Sequence, residues 1–235
     1  MPCRQHNFEE MGRMSTVTHD RTAQAERVAE PVAPAAPAVS AGSLAAAGDP
    51  AVLGLPIFVA GSVALALALV GYVSPAAGGS AIPIILAATG VGLTISAIWA
   101  IALGQTLVAC IFGLFAGFWL SYSALVLGLN HNWYAIPAAD VKDSVVLFQI
   151  TWAVVMAALT LATLRLPVAY TAVVGLVVLS LVLLIFGTSG ADATLTKAAG
   201  YVAFVFAGLG IYLFLSAASI ATGGKGYPLG SPLSR

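Results

Sequence analysis

The sequence predicts an all-α integral membrane protein of six transmembrane helices. Three observations predict it. Only 8% of the 235 residues are charged and 60% are hydrophobic, where soluble domains carry roughly 25% charged residues. No charged side chain occurs from residue 51 to residue 139. Six apolar runs follow one another, each close to the roughly 20 residues a spanning helix needs.

The runs and breaks define the elements in order. Residues 1–48 are polar and then Pro/Ala-rich, a composition that cannot bury a core and reads as a disordered N-terminal tail. The tail has no apolar stretch of signal-peptide type. The membrane domain is expected over 49–222, with helices over about 54–73, 81–103, 106–129, 145–164, 167–187 and 198–220. Ser74-Pro75 and Gly78-Gly79 separate the first pair, and Gly104-Gln105 makes the next turn. A polar loop over 130–144 follows, then Arg165-Leu166-Pro167, then 187–197. Pro83 and Pro167 are expected in the first turn of a helix, where a missing N–H costs nothing. Residues 223–235 form a short Gly/Pro tail.

Six spans place both termini on one side. That side carries seven of the nine Lys and Arg, leaving Lys142 and Lys197 opposite. The positive-inside rule then predicts cytoplasmic termini, in the plasma (inner) membrane.

Net charge is zero, so nucleic acid is not an implied partner. Cys3 and Cys110 suggest neither a disulfide framework nor a metal site. The apolar spans contain no Asp, Glu, Lys or His, and Arg165 lies at a boundary. A pump built on an intramembrane acid or His relay is therefore not expected, nor is a membrane enzyme. No cofactor is expected.

The spans do carry small, hydroxyl, amide and aromatic residues. Gly113, Gly117 and Ser121 form a small-residue ridge on the third helix, a pattern that lets backbones approach closely. Phe112, Phe115, Trp119 and Tyr122 recur on a roughly opposite face, as helix packing or as a pore wall. Gln149, Thr151, Thr160 and Thr163 on the fourth helix, and Tyr201, Tyr212, Ser216 and Ser219 on the sixth, are pore-lining or helix-bonding groups. The segment beginning Leu114-Phe115-Ala116-Gly117 echoes the one beginning Val205-Phe206-Ala207-Gly208. Elements three helices apart run in opposite directions, so the echo implies a 3+3 inverted repeat, a common transporter plan.

Asp49-Pro50-Ala51-Val52-Leu53-Gly54-Leu55 resembles the NPAPLGL signature of the acetate uptake transporter family. Gly104-Gln105-Thr106, Phe112 and Phe118-Trp119-Leu120 are similar to that family's third-helix pattern. Trp152, Ala199-Gly200, Ile211-Tyr212-Leu213 and Tyr227-Pro228-Leu229-Gly230 extend the resemblance over about 49–230. It implies a homohexamer of six-helix protomers, each with its own pore. It further implies small monocarboxylate substrates, acetate first and succinate among them, with proton-coupled or channel-like passage. By resemblance the substrate path takes in Asp49, Pro50, Ala51, Leu53, Gly54 and Leu55, with Gln105, Thr106, Trp119 and Tyr212. An apolar constriction is implied at Phe58, at Phe115 where the family has a tyrosine, and at Leu176 or Val177. The chain departs at Asp49 and Val52, which replace Asn and Pro, and at Ala217, which replaces a glutamate. A channel for neutral solutes such as urea, amides or ammonia, an ammonium exporter, and a scaffold acting through the N-terminal tail are the alternative functions.

Overall fold

The computed structural model describes residues 48–234, so the reading of the N-terminal tail and of Cys3 lies outside the described residues. All regular structure among the described residues is helical. Six helices are long and apolar enough to cross a membrane. The α-helices are α1 (Ala51–Val70), α2 (Val91–Ala102), α3 (Thr106–Asn130), α4 (Val141–Ala162), α5 (Val168–Ser189) and α6 (Ala193–Ala221); the second span is the longer stretch Gly79–Ala102, which ends in α2. Below, "tail end" means the end where α1 starts and α6 finishes, and "loop end" the opposite one.

The boundaries depart from the sequence reading in an instructive way. Hydropathy marks the apolar span, whereas the helices run on into polar residues. α4 takes in Lys142 and Asp143, and α6 begins at Ala193 because Asp192 caps it. The Asp192 Oδ1 accepts from the backbone N–H of Thr194 at 2.7 Å and of Leu195 at 3.2 Å, pairing donors that a helix start leaves open. The second span is not one α-helix. A 3₁₀ segment (Pro75–Ala81) and a π-helical segment (Ile84–Gly90) precede α2. The π register puts Thr89 against α1, where its hydroxyl donates to the Ile57 carbonyl at 3.3 Å. Pro83 stands just ahead of the π segment, and Pro167 is the residue before α5 rather than inside its first turn.

Contacts between neighbours close the helices into a ring, α1 to α2 and onward to α6, which returns to α1. The most extensive pairing is α1 with α6. It rests on a small-residue ridge of α6, Gly200, Ala203, Ala207 and Gly210, all buried. A Cβ placed on Gly200 would lie 2.9 Å from the Leu69 Cβ and 3.1 Å from the Val70 backbone nitrogen. The ridge on α3 also serves packing: Gly113 faces Ala97 of α2, and Gly117 faces the Trp152 ring of α4. Backbones of α3 and α4 approach little, and aromatic rings fill the gap. Phe118 lies 5.7 Å from Phe148 and 5.6 Å from Trp152. Tyr122 joins this cluster, 6.2 Å from Phe118 and 5.8 Å from Phe148.

Apolar side chains are buried inside and also exposed outside, including Ile95, Ile98, Leu147, Val154, Phe186 and Val205. A helix bundle that is hydrophobic on its outer surface suits a lipid environment rather than water.

The C-terminal tail folds back over the tail ends of α5 and α6. The Ala169 N–H donates to the Leu229 carbonyl at 3.1 Å, and the Leu233 N–H to the Leu164 carbonyl at 3.0 Å. The Tyr227 N–H donates to the Ser216 hydroxyl at 2.9 Å, and the Tyr212 hydroxyl to the Pro228 carbonyl at 2.9 Å. Tyr212→Phe removes one of these bonds and leaves the ring packing in place. The expected cost is about 1 kcal/mol. It should appear as faster amide exchange at Tyr227 and Ala169, with solute flux little changed.

Candidate permeation pathway

Inside the ring, helix geometry sets three phenylalanines at one level. Phe58 of α1, Phe115 of α3 and Phe206 of α6 are 3%, 4% and 3% exposed. The Phe58 ring meets Phe115 edge to face at 4.8 Å and Phe206 at 5.9 Å, within the range of favourable aromatic pairing.

Two apolar cavities flank this cluster. The tail-end cavity, about 40 Å³, is lined by Leu55, Phe58, Ile111, Phe112, Phe115, Tyr170, Val173, Val174 and Leu213. The loop-end cavity, about 20 Å³, is lined by Phe58, Leu65, Phe115, Phe118, Trp119, Val177, Ser180, Leu181, Leu184 and Phe206. Phe58 and Phe115 belong to both walls, so this ring pair is the partition between the cavities. On the order of one to three waters fit in spaces of this size. The two rings leave no opening between the cavities wide enough for a larger solute unless they turn aside.

The residues singled out from the sequence divide into three groups. Phe58, Phe115, Leu55, Trp119 and Val177 line the cavities. Gly54 supports the lower one: a Cβ there would meet the Phe112 ring at 2.5 Å, so glycine lets that ring lie against α1. Asp49, Pro50, Ala51 and Leu53 form the start of α1 at the tail-end mouth. The exposed Asp49 carboxylate accepts the Ala51 N–H at 2.9 Å, so it caps the helix, where a negative charge opposes the helix dipole favourably.

The third group stands apart. Gln105 and Thr106 sit at the turn into α3, half-buried and exposed. Leu176 packs on the core beside Val177 without lining either cavity. The Tyr212 ring lies 5.5 Å from that of Tyr227, tilted by 49°, and its hydroxyl anchors the C-terminal tail; it lines neither cavity. The hydroxyls of Thr151, Thr160 and Thr163 bond to backbone carbonyls of their own helix, at 2.8 Å each. Gln149 ties α4 to α5 through Thr188, at 3.0 Å.

Sequence reasoning missed Phe206, although the signal was present. The internal echo aligns Phe206 with Phe115, and the structure brings both rings to Phe58. The aliphatic wall, Leu65, Val173, Val174, Leu181, Leu184 and Leu213, carried no comparable signal.

Among known proteins, a family model described as the GPR1/FUN34/yaaH family matches residues 33–229. No curated protein matches the sequence significantly. Among solved structures, the fold is similar to that reported as the structure of the bacterial acetate channel SatP. The TM-score is 0.69 at 21% identity, covering 78% of this chain and 99% of that one.

Proposed function

The chain belongs to the GPR1/FUN34/yaaH family, and from that premise we propose that it passes acetate and similar small monocarboxylates across a membrane through the Phe58–Phe115 constriction. The observation that carries this reading is the pair of apolar cavities on one axis, separated by that single pair of rings. The family and the similarity to an acetate channel support the carboxylate class. A homohexamer, cytoplasmic termini and the plasma (inner) membrane complete the proposal; the distribution of Lys and Arg supports the orientation.

The chemistry of the wall restricts the mechanism. The cavity linings contain no Asp, Glu, His, Lys or Arg. A carboxylate anion would lose most of its hydration there at high cost, so the constriction favours passage of small, weakly hydrated or protonated solutes. Any proton coupling uses the solute's own carboxyl group, Asp49 at the mouth, or chains of water and hydroxyls. No catalytic step enters this reading.

Competition in vesicles containing the purified protein tests the solute class. Unlabelled acetate and propionate should each suppress labelled acetate uptake, and urea and ammonium should not. Suppression by urea or ammonium with none by propionate would reject the carboxylate reading.

A further inference from the structure

Among the described residues, two buried side-chain polar atoms lack a hydrogen-bond partner: Nε1 of Trp119 and Oε1 of Gln149. Other buried hydroxyls are committed. Ser62 donates to the Phe58 carbonyl at 2.7 Å, Ser123 to the Trp119 carbonyl at 2.8 Å, and Ser180 to the Ala199 carbonyl at 3.0 Å. The Trp119 N–H is therefore an exception in a structure that otherwise pairs its buried donors, and leaving a buried donor unpaired costs stability.

Its position gives the exception meaning. Trp119 is 2% exposed and lines the loop-end cavity, whose remaining wall is hydrocarbon apart from Ser180. It follows Phe115 by one helical turn on the same face. A solute that has passed the phenylalanine pair from the tail end next meets this residue. An indole N–H only donates. It serves an oxygen acceptor and offers nothing to ammonium or to an amide N–H. In an apolar cavity, where no water competes, a single hydrogen bond to a carboxyl oxygen is stronger than in water.

We propose that the Trp119 indole N–H is a solute-binding group of the loop-end cavity, donating to an oxygen of the permeating carboxylate just beyond the constriction. This rests on the carboxylate reading above and adds the group that recognises the oxygen. The ring edge serves as a wall, and the N–H selects acceptors over donors.

The test uses the full chain in lipid nanodiscs with labelled indole nitrogens. The chain has four tryptophans, and Trp119→Phe identifies the Trp119 resonance by its loss. Should that variant fold poorly, Phe substitutions at Trp99, Trp133 and Trp152 identify it by elimination. Sodium acetate is expected to shift the Trp119 indole resonance saturably, while sodium chloride and ammonium chloride leave it unmoved. In vesicles, Trp119→Phe keeps the ring and loses the donor. Its KM for acetate should rise about fivefold, the size expected for one hydrogen bond to a neutral acceptor. An indole resonance that ignores acetate, in protein that takes up acetate, overturns the proposal and leaves the transport reading intact. A saturable shift in protein that transports no acetate would keep the binding group and overturn the transport reading instead.

Discussion

Phe115→Trp is expected to reduce acetate uptake at least tenfold, to the level of vesicles without protein. The phenylalanine already meets Phe58 at 4.8 Å and is 4% exposed. Cavities of about 40 and 20 Å³ lie on its two sides. The second ring of an indole has only these spaces to enter, so it occludes the path on whichever side it turns. Because it fills existing space, it perturbs the fold less than enlargement in a fully packed core, where overpacking typically costs about 1–3 kcal/mol. Flux and thermal unfolding therefore separate cleanly. The variant should unfold within a few degrees of the wild type while its acetate uptake disappears. Full uptake by a folded Phe115→Trp protein would move the path away from this ring pair.

The second large effect is on stability. Gly200→Val should destabilise the protein by about 3 kcal/mol, the upper part of the usual range for overpacking. A Cβ there would meet the Val70 Cγ1 at 2.8 Å and, beyond that side chain, two fixed atoms, the Leu69 Cβ at 2.9 Å and the Val70 backbone nitrogen at 3.1 Å. The two fixed atoms cannot rotate away, so α1 and α6 must separate along their most extensive contact. Within a membrane, helix association depends on such close packing rather than on expulsion of water. Gly208→Val, on the exposed side of the same helix with nothing within 4 Å, is the matched control and should be near neutral. Unfolding midpoints in detergent measure both; equal midpoints would show that the α6 ridge does not set the packing.

The architecture was legible because its cause is simple. A chain with no charge from residue 51 to residue 139 has to place that stretch in an apolar medium, and turn residues punctuate it at spanning length. The ends of the helices were less legible, since Asp192 and Lys142 belong to helices whose polar turns project past the apolar span. The 3₁₀ and π segments before α2 were not legible, because hydropathy does not distinguish one helical register from another.

The site shows the same division. Phe58 and Phe115 were reached through motif resemblance, whereas Phe206 was missed although the internal echo pairs it with Phe115. Leu181, Val173 and Leu213 were out of reach: in a membrane helix a leucine facing lipid and a leucine facing a pore have the same hydropathy. Tyr212 shows how a polar group can be read two ways, as pore-lining or as a bonding group. Its hydroxyl suggested a polar contact along the path, but the partner is the Pro228 carbonyl of the tail.

In the proposed pathway acetate passes between Phe58 and Phe115. Its most direct test is the initial rate of labelled acetate uptake into vesicles, measured side by side for wild type, Phe115→Trp and vesicles without protein, with and without a pH gradient. Passage between these rings requires saturable wild-type uptake well above the other two, which coincide. Wild-type uptake no faster than that of protein-free vesicles under both conditions would contradict it.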